Sequence, residues 1–139
     1  MRFLRKEDIL LFNQFMISTT GGEFLGKDNL HNSSSLDWVL YAMQNPIFGI
    51  DHYPKLVDKA AILGWKIITA HVFFDGNKRT GMFSLLKFLE INHFLVDVSN
   101  QEIIDIAQLI ATHSSNQFTE QDLAIWINGN MKIILRGNI

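Results

Sequence analysis

The stretch from His71 to Thr80, near the middle of the chain, carries several side chains that could do chemistry. It contains an imidazole, a carboxylate, a glycine, an amide and two cations, in the order His71-Val72-Phe73-Phe74-Asp75-Gly76-Asn77-Lys78-Arg79-Thr80. Long apolar, helix-like segments lie on either side and could hold these groups in place. Folding alone does not readily explain such a cluster, which indicates a site for a nucleotide phosphate and a metal ion.

The second half of this stretch has the features of an anion site. A helix is predicted to open at Asn77 or Asp75, and the first N–H groups of a helix have no internal partner and lie at the positive end of its dipole. Gly76 lets a phosphate approach the backbone because it has no Cβ. Lys78 and Arg79 add two cations, each of which opposes the helix dipole by about 0.3–1 kcal/mol unless an anion is bound.

Asp75 and His71 supply the groups for a reaction. A carboxylate beside a phosphate site suits Mg²⁺, which usually takes one or two carboxylates together with substrate phosphates. His71 follows the preceding predicted helix and is expected to face the same cavity. A histidine side chain ordinarily titrates near neutral pH and can take the proton of an attacking hydroxyl. His71 is therefore the candidate general base and Asp75 the candidate metal ligand.

Each of these residues also has a structural explanation when it is taken alone. Asp75 or Asn77 could cap a helix, Gly76 could serve a turn, and the two cations could form a solvated pair. His71 could be a structural histidine. Because all of these features coincide within nine residues, the combination favours function.

Helical periodicity predicts an all-α protein in which two central helices flank this stretch. A long polar loop is expected from Gly22 to Ser35, a hairpin-like flap at residues 45–53, and no strand pair. The predicted helices are residues 6–18, a helix capped by Ser34 or Ser35, one opening at Pro54, one opening near Asn77, one with a Ser99–Glu102 capping box, and one with a Thr119–Asp122 capping box that breaks near Gly129.

Length and composition bound the remaining possibilities. The 139 residues predict one domain, residues 1–139, and the net charge of −2 gives no general reason to bind nucleic acid. With no cysteine, a thiolate zinc site or thiol nucleophile is excluded. No apolar run approaches the roughly 20 residues that cross a bilayer, and the early charges do not fit a signal peptide. We therefore expect no membrane partner and a cytoplasmic protein.

Written as H-x-F-x-D-G-N-K-R, residues 71–79 resemble the signature of the Fic/Doc superfamily, and specifically its Doc (death-on-curing) toxin branch. The resemblance extends along the chain and includes Gly21-Gly22, Gly26-Lys27-Asp28, Tyr53-Pro54, Lys59-Ala60-Ala61 and Phe88-Leu89-Glu90-Ile91-Asn92. It implies a Fic/Doc-type helical bundle whose two central helices are joined by the motif loop.

The resemblance also implies an enzyme that transfers part of ATP to a hydroxyl of a target protein. His71, Asp75 and Arg79 would be catalytic, with His71 as general base and Asp75 as the Mg²⁺ ligand. Phe73 would anchor the loop in the core. The phosphate-binding loop would consist of Gly76, Asn77, Lys78 and Arg79.

Two positions differ from the Fic enzymes that transfer AMP. Those enzymes carry glycine where this chain has Lys78, and a second arginine where it has Met82. Lysine fills space at the phosphate nest, and methionine cannot hold a γ-phosphate. ATP is therefore expected to bind reversed, with its γ-phosphate towards His71. The resemblance to Doc-type proteins with this pattern then implies an ATP-dependent protein phosphotransferase that modifies a hydroxyl of translation elongation factor Tu and so stops protein synthesis. AMP transfer and a non-catalytic binding module are the alternatives.

The resemblance further implies a small Phd-like antitoxin as partner. No internal S/T-x-x-x-E-G/N inhibitory motif is evident, which favours control from outside over self-inhibition. The flap at 45–53 could dock a target segment as an added strand, or be a packed loop. Of the other histidines, His31 and His52 lie in loops where they could touch substrate. His93 and His113 are predicted at helix ends, in structural roles.

Overall fold

The computed structural model describes residues 1–135, which form seven α-helices and one small antiparallel sheet. The elements are α1 Lys6–Thr20, α2 Ser33–Ala42, α3 Leu56–Thr69, α4 Asn77–Ile91, β1 Phe94–Val96, α5 Asn100–Ala111, α6 His113–Asn116, α7 Glu120–Asn130 and β2 Met131–Ile133. The predicted helical class is confirmed. The predicted single domain extends to residue 139, and its last four residues lie outside the described part.

Helices α3 and α4 form the centre of the protein and are joined by residues 70–76. On α3 nearly every apolar side chain from Ala60 to Ile68 is buried, as expected of a helix covered on most of its faces. The two helices approach closely at Gly64 and Gly81. A Cβ on Gly64 would lie 2.4 Å from Leu85 Cδ2, and one on Gly81 would lie 3.0 Å from the Gly64 carbonyl oxygen. The ends of the motif loop are therefore fixed by tight helix packing.

Several predicted helix starts are corrected by the structure. Asn32, not Ser34 or Ser35, caps α2, and its side-chain oxygen accepts a hydrogen bond from the Ser35 N–H at 3.4 Å. Helix α3 begins at Leu56 rather than at Pro54, because the Asp58 carboxylate accepts from the Lys55 N–H at 3.3 Å and places the cap there. The first helix runs two residues beyond Ser18 to Thr20 and is capped by Gly21, where φ is 89°.

The two predicted capping boxes have different outcomes. Thr119 and Asp122 exchange hydrogen bonds reciprocally, as predicted. Ser99 Oγ accepts from the Glu102 N–H, but the Glu102 carboxylate accepts from the indole N–H of Trp126 at 2.8 Å. Glu102 thus links α5 to α7 instead of closing a box.

The prediction of no strand pair is wrong. Strands β1 and β2 pair antiparallel, with Phe94 opposite Ile133 and Val96 opposite Met131. Each strand has three residues and its partner lies far away in sequence, so no local pattern marks them. The break predicted near Gly129 is confirmed, since α7 ends at Asn130 and the chain continues directly into β2.

The flap at residues 45–53 is hairpin-like, as predicted. The backbone groups of Ile47 and Ile50 bond reciprocally at 2.9 and 3.0 Å, and Phe48 at the tip is 100% exposed. Lys59, which is buried, donates from Nζ to the carbonyl oxygens of Met43 at 2.6 Å and Tyr53 at 2.5 Å. One lysine therefore ties both ends of the flap to α3. No helix within residues 1–135 is long and apolar enough to span a bilayer.

Candidate active site

A cavity of about 400 Å³ lies over the loop between α3 and α4. It brings together six residues that the sequence singled out as site residues: His71, Asp75, Gly76, Asn77, Lys78 and Arg79. The remaining lining residues are Ile68, Thr69, Phe74, Ala111 and His113. The motif loop therefore forms one wall of the cavity, and the junction of α5 and α6 forms another.

His71 lies two residues beyond the end of α3 and is exposed to the cavity. Its φ of 49° is in the left-handed region, which costs a residue other than glycine about 1–2 kcal/mol. Phe73, two residues on, is fully buried and holds the loop in the core, as the motif predicted. The strained backbone at His71 turns the chain away from the helix axis and into the loop.

The Asp75 carboxylate is held by the backbone on both of its oxygens. Oδ2 accepts from the Glu23 N–H at 2.9 Å, and Oδ1 accepts from the Gly76 N–H at 2.8 Å. These hydrogen bonds, with a smaller contribution from the Arg79 charge, hold the pKa of Asp75 below its usual value. Because each carboxylate oxygen has a second lone pair, the ionised group remains able to bind a cation.

Two fully buried asparagines hold the Asp75 peptide group from below. Asn13 Nδ2 donates to the Asp75 carbonyl oxygen at 2.9 Å and to Thr80 Oγ1 at 3.0 Å. Asn29 Nδ2 donates to Asn13 Oδ1 at 2.9 Å, and Asn29 Oδ1 accepts from the Leu25 N–H. Buried amides satisfied in this way are rigid supports, because breaking one bond leaves a polar group unpaired.

The polar loop from Gly22 to Ser35 supports the motif directly. The Val72 carbonyl oxygen accepts from the N–H groups of His31 and Asn32, both at 2.9 Å. The Phe74 N–H donates to the Asn29 carbonyl oxygen, also at 2.9 Å. Residues 29–32 thus run along the motif loop and cover it.

Gly22 makes room for the carboxylate. Its φ is 123°, and a Cβ at this position would lie 2.6 Å from Asp75 Oδ2 and 3.3 Å from Arg79 Nη2. Gly76, at φ 80°, is the left-handed residue that opens α4. Gly22 is therefore required for the close approach of the Asp75 carboxylate, and Gly76 for its positive φ and for the close approach of Asn13, whose Nδ2 would lie 3.1 Å from an added Cβ.

Three side chains of the predicted phosphate loop already have protein partners. Asn77 closes the loop, since its Nδ2 donates to the Phe73 carbonyl oxygen and its Oδ1 accepts from the Phe73 N–H. Lys78 Nζ donates to Gln108 Oε1 at 3.1 Å. Arg79 Nη1 donates to Thr20 Oγ1 and to the Gly21 carbonyl oxygen, the latter at 2.9 Å. Asn77 can therefore serve a phosphate through its backbone N–H.

Arg79 also joins the cavity to the end of α1. Its Nη1 is bonded to the carboxyl end of that helix, where the dipole is negative, while Nη2 faces Gly22. The partners of Lys78 and Arg79 offset part of the cost of placing cations at the start of α4. The anion-site prediction therefore depends mainly on the open helix N-terminus.

Mg²⁺ fits the Asp75 position. Within residues 1–135 no three His, Asp or Glu side chains form a metal-binding group. An ion there would be held by the Asp75 carboxylate and by oxygens of a phosphate ligand, which is the arrangement Mg²⁺ commonly adopts. The carboxylate is ionised at neutral pH, and its lowered pKa keeps it ionised to lower pH than an ordinary aspartate.

Other predicted positions lie as follows. Met82 is buried in the core and offers no charge to the cavity. His31 is exposed and its ring lies 4.9 Å from that of Phe74, while His52 lines a separate small cavity.

Sequence patterns did not identify Asn13 and Asn29 as supports. Their sign was weak: one asparagine on an otherwise apolar helical face and one in a polar loop.

The chain matches a family model described as Fic/DOC family over residues 3–89. It is also similar to Toxin Doc of Mycolicibacterium smegmatis (strain ATCC 700084 / mc(2)155), with 36% identity over 90 residues. That similarity covers 65% of this chain and 64% of the toxin. The residues matched by the family model include the whole motif loop and its supports from α1 to α4.

Proposed function

We propose a function for this chain, which belongs to the Fic/DOC family: it is a Doc-type toxin that transfers the γ-phosphate of ATP to a hydroxyl of a target protein. The proposed target is translation elongation factor Tu, whose modification would block translation. The observation that supports this most strongly is the Asp75 carboxylate, held ionised by two backbone N–H groups beside the open N-terminus of α4.

Each residue has a defined part in this proposal. His71 takes the proton of the target hydroxyl, and the N–H groups at the start of α4 with the Arg79 guanidinium hold the phosphates. Asp75 holds Mg²⁺, which when bound neutralises phosphate charge and orients the phosphate chain. Phosphoryl transfer depends mainly on positioning and charge stabilisation, and the buried amides under Asp75 supply the rigidity for both.

One observation favours AMP transfer as the second candidate. The Lys78 amine is bonded to Gln108, which lines a neighbouring cavity and not this one, so in this conformation the amine is directed away from the space over Gly76. The buried position of Met82 favours phosphate transfer, because no second cation reaches the cavity from that position. The two reactions differ in which phosphorus of ATP remains on the target.

A transfer assay with ATP labelled separately at the γ- and α-phosphorus distinguishes them. Purified protein is incubated with elongation factor Tu and Mg²⁺, and His71→Ala is the control. We expect label from the γ position only, reduced at least about 100-fold in His71→Ala. Label from the α position would establish AMP transfer. No label from either would contradict this target, and the same assay in a cell lysate would then separate another target from a binding module.

We further propose that a small Phd-like antitoxin restrains the enzyme. The support is the similarity to Toxin Doc and the match to the Fic/DOC family model over residues 3–89. Co-expression tests this: growth arrest caused by the chain alone should be relieved by the product of an adjacent small open reading frame and abolished by His71→Ala.

A further inference from the structure

His113 lines the same cavity as the motif loop, although it comes from the junction of α5 and α6 and lies more than forty residues after His71. A structural role at a helix end was predicted for it, and the structure shows contacts of that kind. Its ring lies 5.0 Å from the Trp65 ring, and Nδ1 lies 3.0 Å from the Ile110 carbonyl oxygen. Neither of these contacts involves the second ring nitrogen, Nε2.

The Ile110 contact determines which nitrogen of the neutral ring carries the proton. A carbonyl oxygen can only accept, so Nδ1 must be the donor. Nε2 of neutral His113 is then a hydrogen-bond acceptor, and no residue in the described part of the chain donates to it. The ring is held in place by Trp65, which packs in turn against Phe118. The His113 ring is therefore fixed in orientation on a wall of the cavity.

We propose that His113 is a nucleotide-binding residue that accepts a hydrogen bond from the nucleoside part of ATP. The inference rests on the proposed function, since it takes ATP as the ligand. An acceptor nitrogen needs a donor, and a triphosphate chain that binds Mg²⁺ is fully ionised at neutral pH and has none. The donors of ATP are the ribose hydroxyls and the adenine amino group, so His113 contacts the nucleoside while the start of α4 takes the phosphates.

Calorimetric titration of the full chain, with Mg²⁺ but without any target protein, tests this contact. His113→Phe keeps a ring against Trp65 and removes both nitrogens. We expect its Kd for ATP to rise about three- to tenfold, the usual effect of losing one neutral hydrogen bond. The Kd for inorganic tripolyphosphate should change by less than about twofold. His52→Phe, a matched substitution in the separate small cavity, should change neither constant.

A second variant tests the chemistry of the contact. The amide oxygen of His113→Gln can accept a hydrogen bond, so its Kd for ATP should lie between those of the wild type and His113→Phe. Thermal unfolding of each variant confirms that it is folded. If His113→Phe does not fold, His113→Leu takes its place in the comparison.

The outcomes that overturn the inference are distinct from those that overturn the proposed function. Unchanged ATP binding in folded His113→Phe, or equal losses for ATP and tripolyphosphate, would exclude a nucleoside contact. Wild-type protein that binds ATP normally but transfers nothing to elongation factor Tu would refute the proposed target and leave the contact in place. Wild-type protein that does not bind ATP would refute both.

Discussion

Two carboxylates of this protein lie in opposite surroundings. Asp75 in the motif loop accepts a backbone hydrogen bond on each oxygen, and its pKa is lowered. Glu120, the first residue of α7, is half-buried, and its Oε2 has no hydrogen-bond partner within residues 1–135. Burial raises the pKa of Glu120, with Lys66 acting against this and Asp58 adding to it. The surroundings thus favour the ionised form of the carboxyl group at Asp75 and the protonated form at Glu120.

The difference lies in the backbone around each carboxylate. The N–H groups that hold Asp75 come from residues in a glycine-rich turn and a left-handed glycine, and buried amides fix the peptide group below. Glu120 lines a cavity of about 150 Å³ with His52, Tyr53 and Asp58, none of which bonds its Oε2. A carboxylate fit for cation binding is therefore recognised by its preorganised donors, and burial alone does not provide them.

The largest expected effect comes from removing the charge at the first site. Asp75→Asn keeps the shape but places an amide N–H₂ against one of the two backbone N–H groups. We expect the transfer rate to fall at least about 100-fold, because the variant lacks the carboxylate proposed to hold Mg²⁺. The measurement is the initial rate of label transfer at saturating ATP and Mg²⁺. A variant that keeps more than half of the wild-type rate would show that Asp75 is not needed.

The same variant gives a pH test. A folded-state pKa below that of the unfolded chain contributes stability above the ordinary Asp pKa of about 3.9, and this contribution is lost as the pH falls through the folded value. The wild type should therefore be more stable than Asp75→Asn at neutral pH, and the difference should shrink below about pH 4. Chemical denaturation at several pH values measures it. A difference that stayed constant would assign the effect to geometry alone.

An intermediate effect is expected from the glycine that faces the carboxylate. Gly22→Ala would place a methyl group 2.6 Å from Asp75 Oδ2, so the carboxylate must move. A displacement of this kind should reduce the transfer rate roughly 10- to 100-fold. Gly21→Ala is the matched control, since φ there is also positive but no atom lies within 4 Å of the added Cβ.

Both alanine variants should lose about 1–3 kcal/mol of stability from the positive φ, and only Gly22→Ala should lose activity in proportion to the displaced carboxylate. Denaturant titration and the transfer assay, performed on the same preparations, separate the two effects. Equal losses of activity in both variants would mean that backbone strain in the turn, and not the contact with Asp75, controls the rate.

The smallest effect is expected at the second carboxylate. The raised folded pKa of Glu120 means that its contribution to stability is present below the ordinary Glu pKa and is lost as the pH rises through the folded value. Glu120→Gln removes this loss, so we expect Tm at pH 7 to rise by the order of 2 °C, with no difference below about pH 4. Glu7→Gln, at the exposed start of α1, is the control and should not raise Tm.

The sequence predicted the helices better than the contacts between them. Periodicity located α3 and α4, because a helix covered on most faces carries an unmistakable apolar run. It could not locate β1 and β2, whose pairing is decided by distant residues, and it placed the start of α3 at Pro54 because proline is common there, although Asp58 caps the helix later.

The residues of the candidate site likewise fall into those that the sequence could predict and those that it could not. The motif residues are adjacent in sequence, so their grouping could be predicted, and the structure places them around one cavity. Their roles in binding and catalysis stay predictions. Asn13, Asn29 and His113 reach the site only through folding, and the sequence around each of them gave at most a weak signal of it.

The supports of Asp75 have a consequence for the order in which the site is made. They come from residues 13 to 79, which a ribosome releases before any of α5, α6 or α7. Since chains begin to fold from the N-terminal side during synthesis, Asp75 can meet its partners soon after α4 has emerged. The wall that carries Ala111 and His113 is added last. During translation, therefore, the carboxylate can be positioned before the cavity around it is complete.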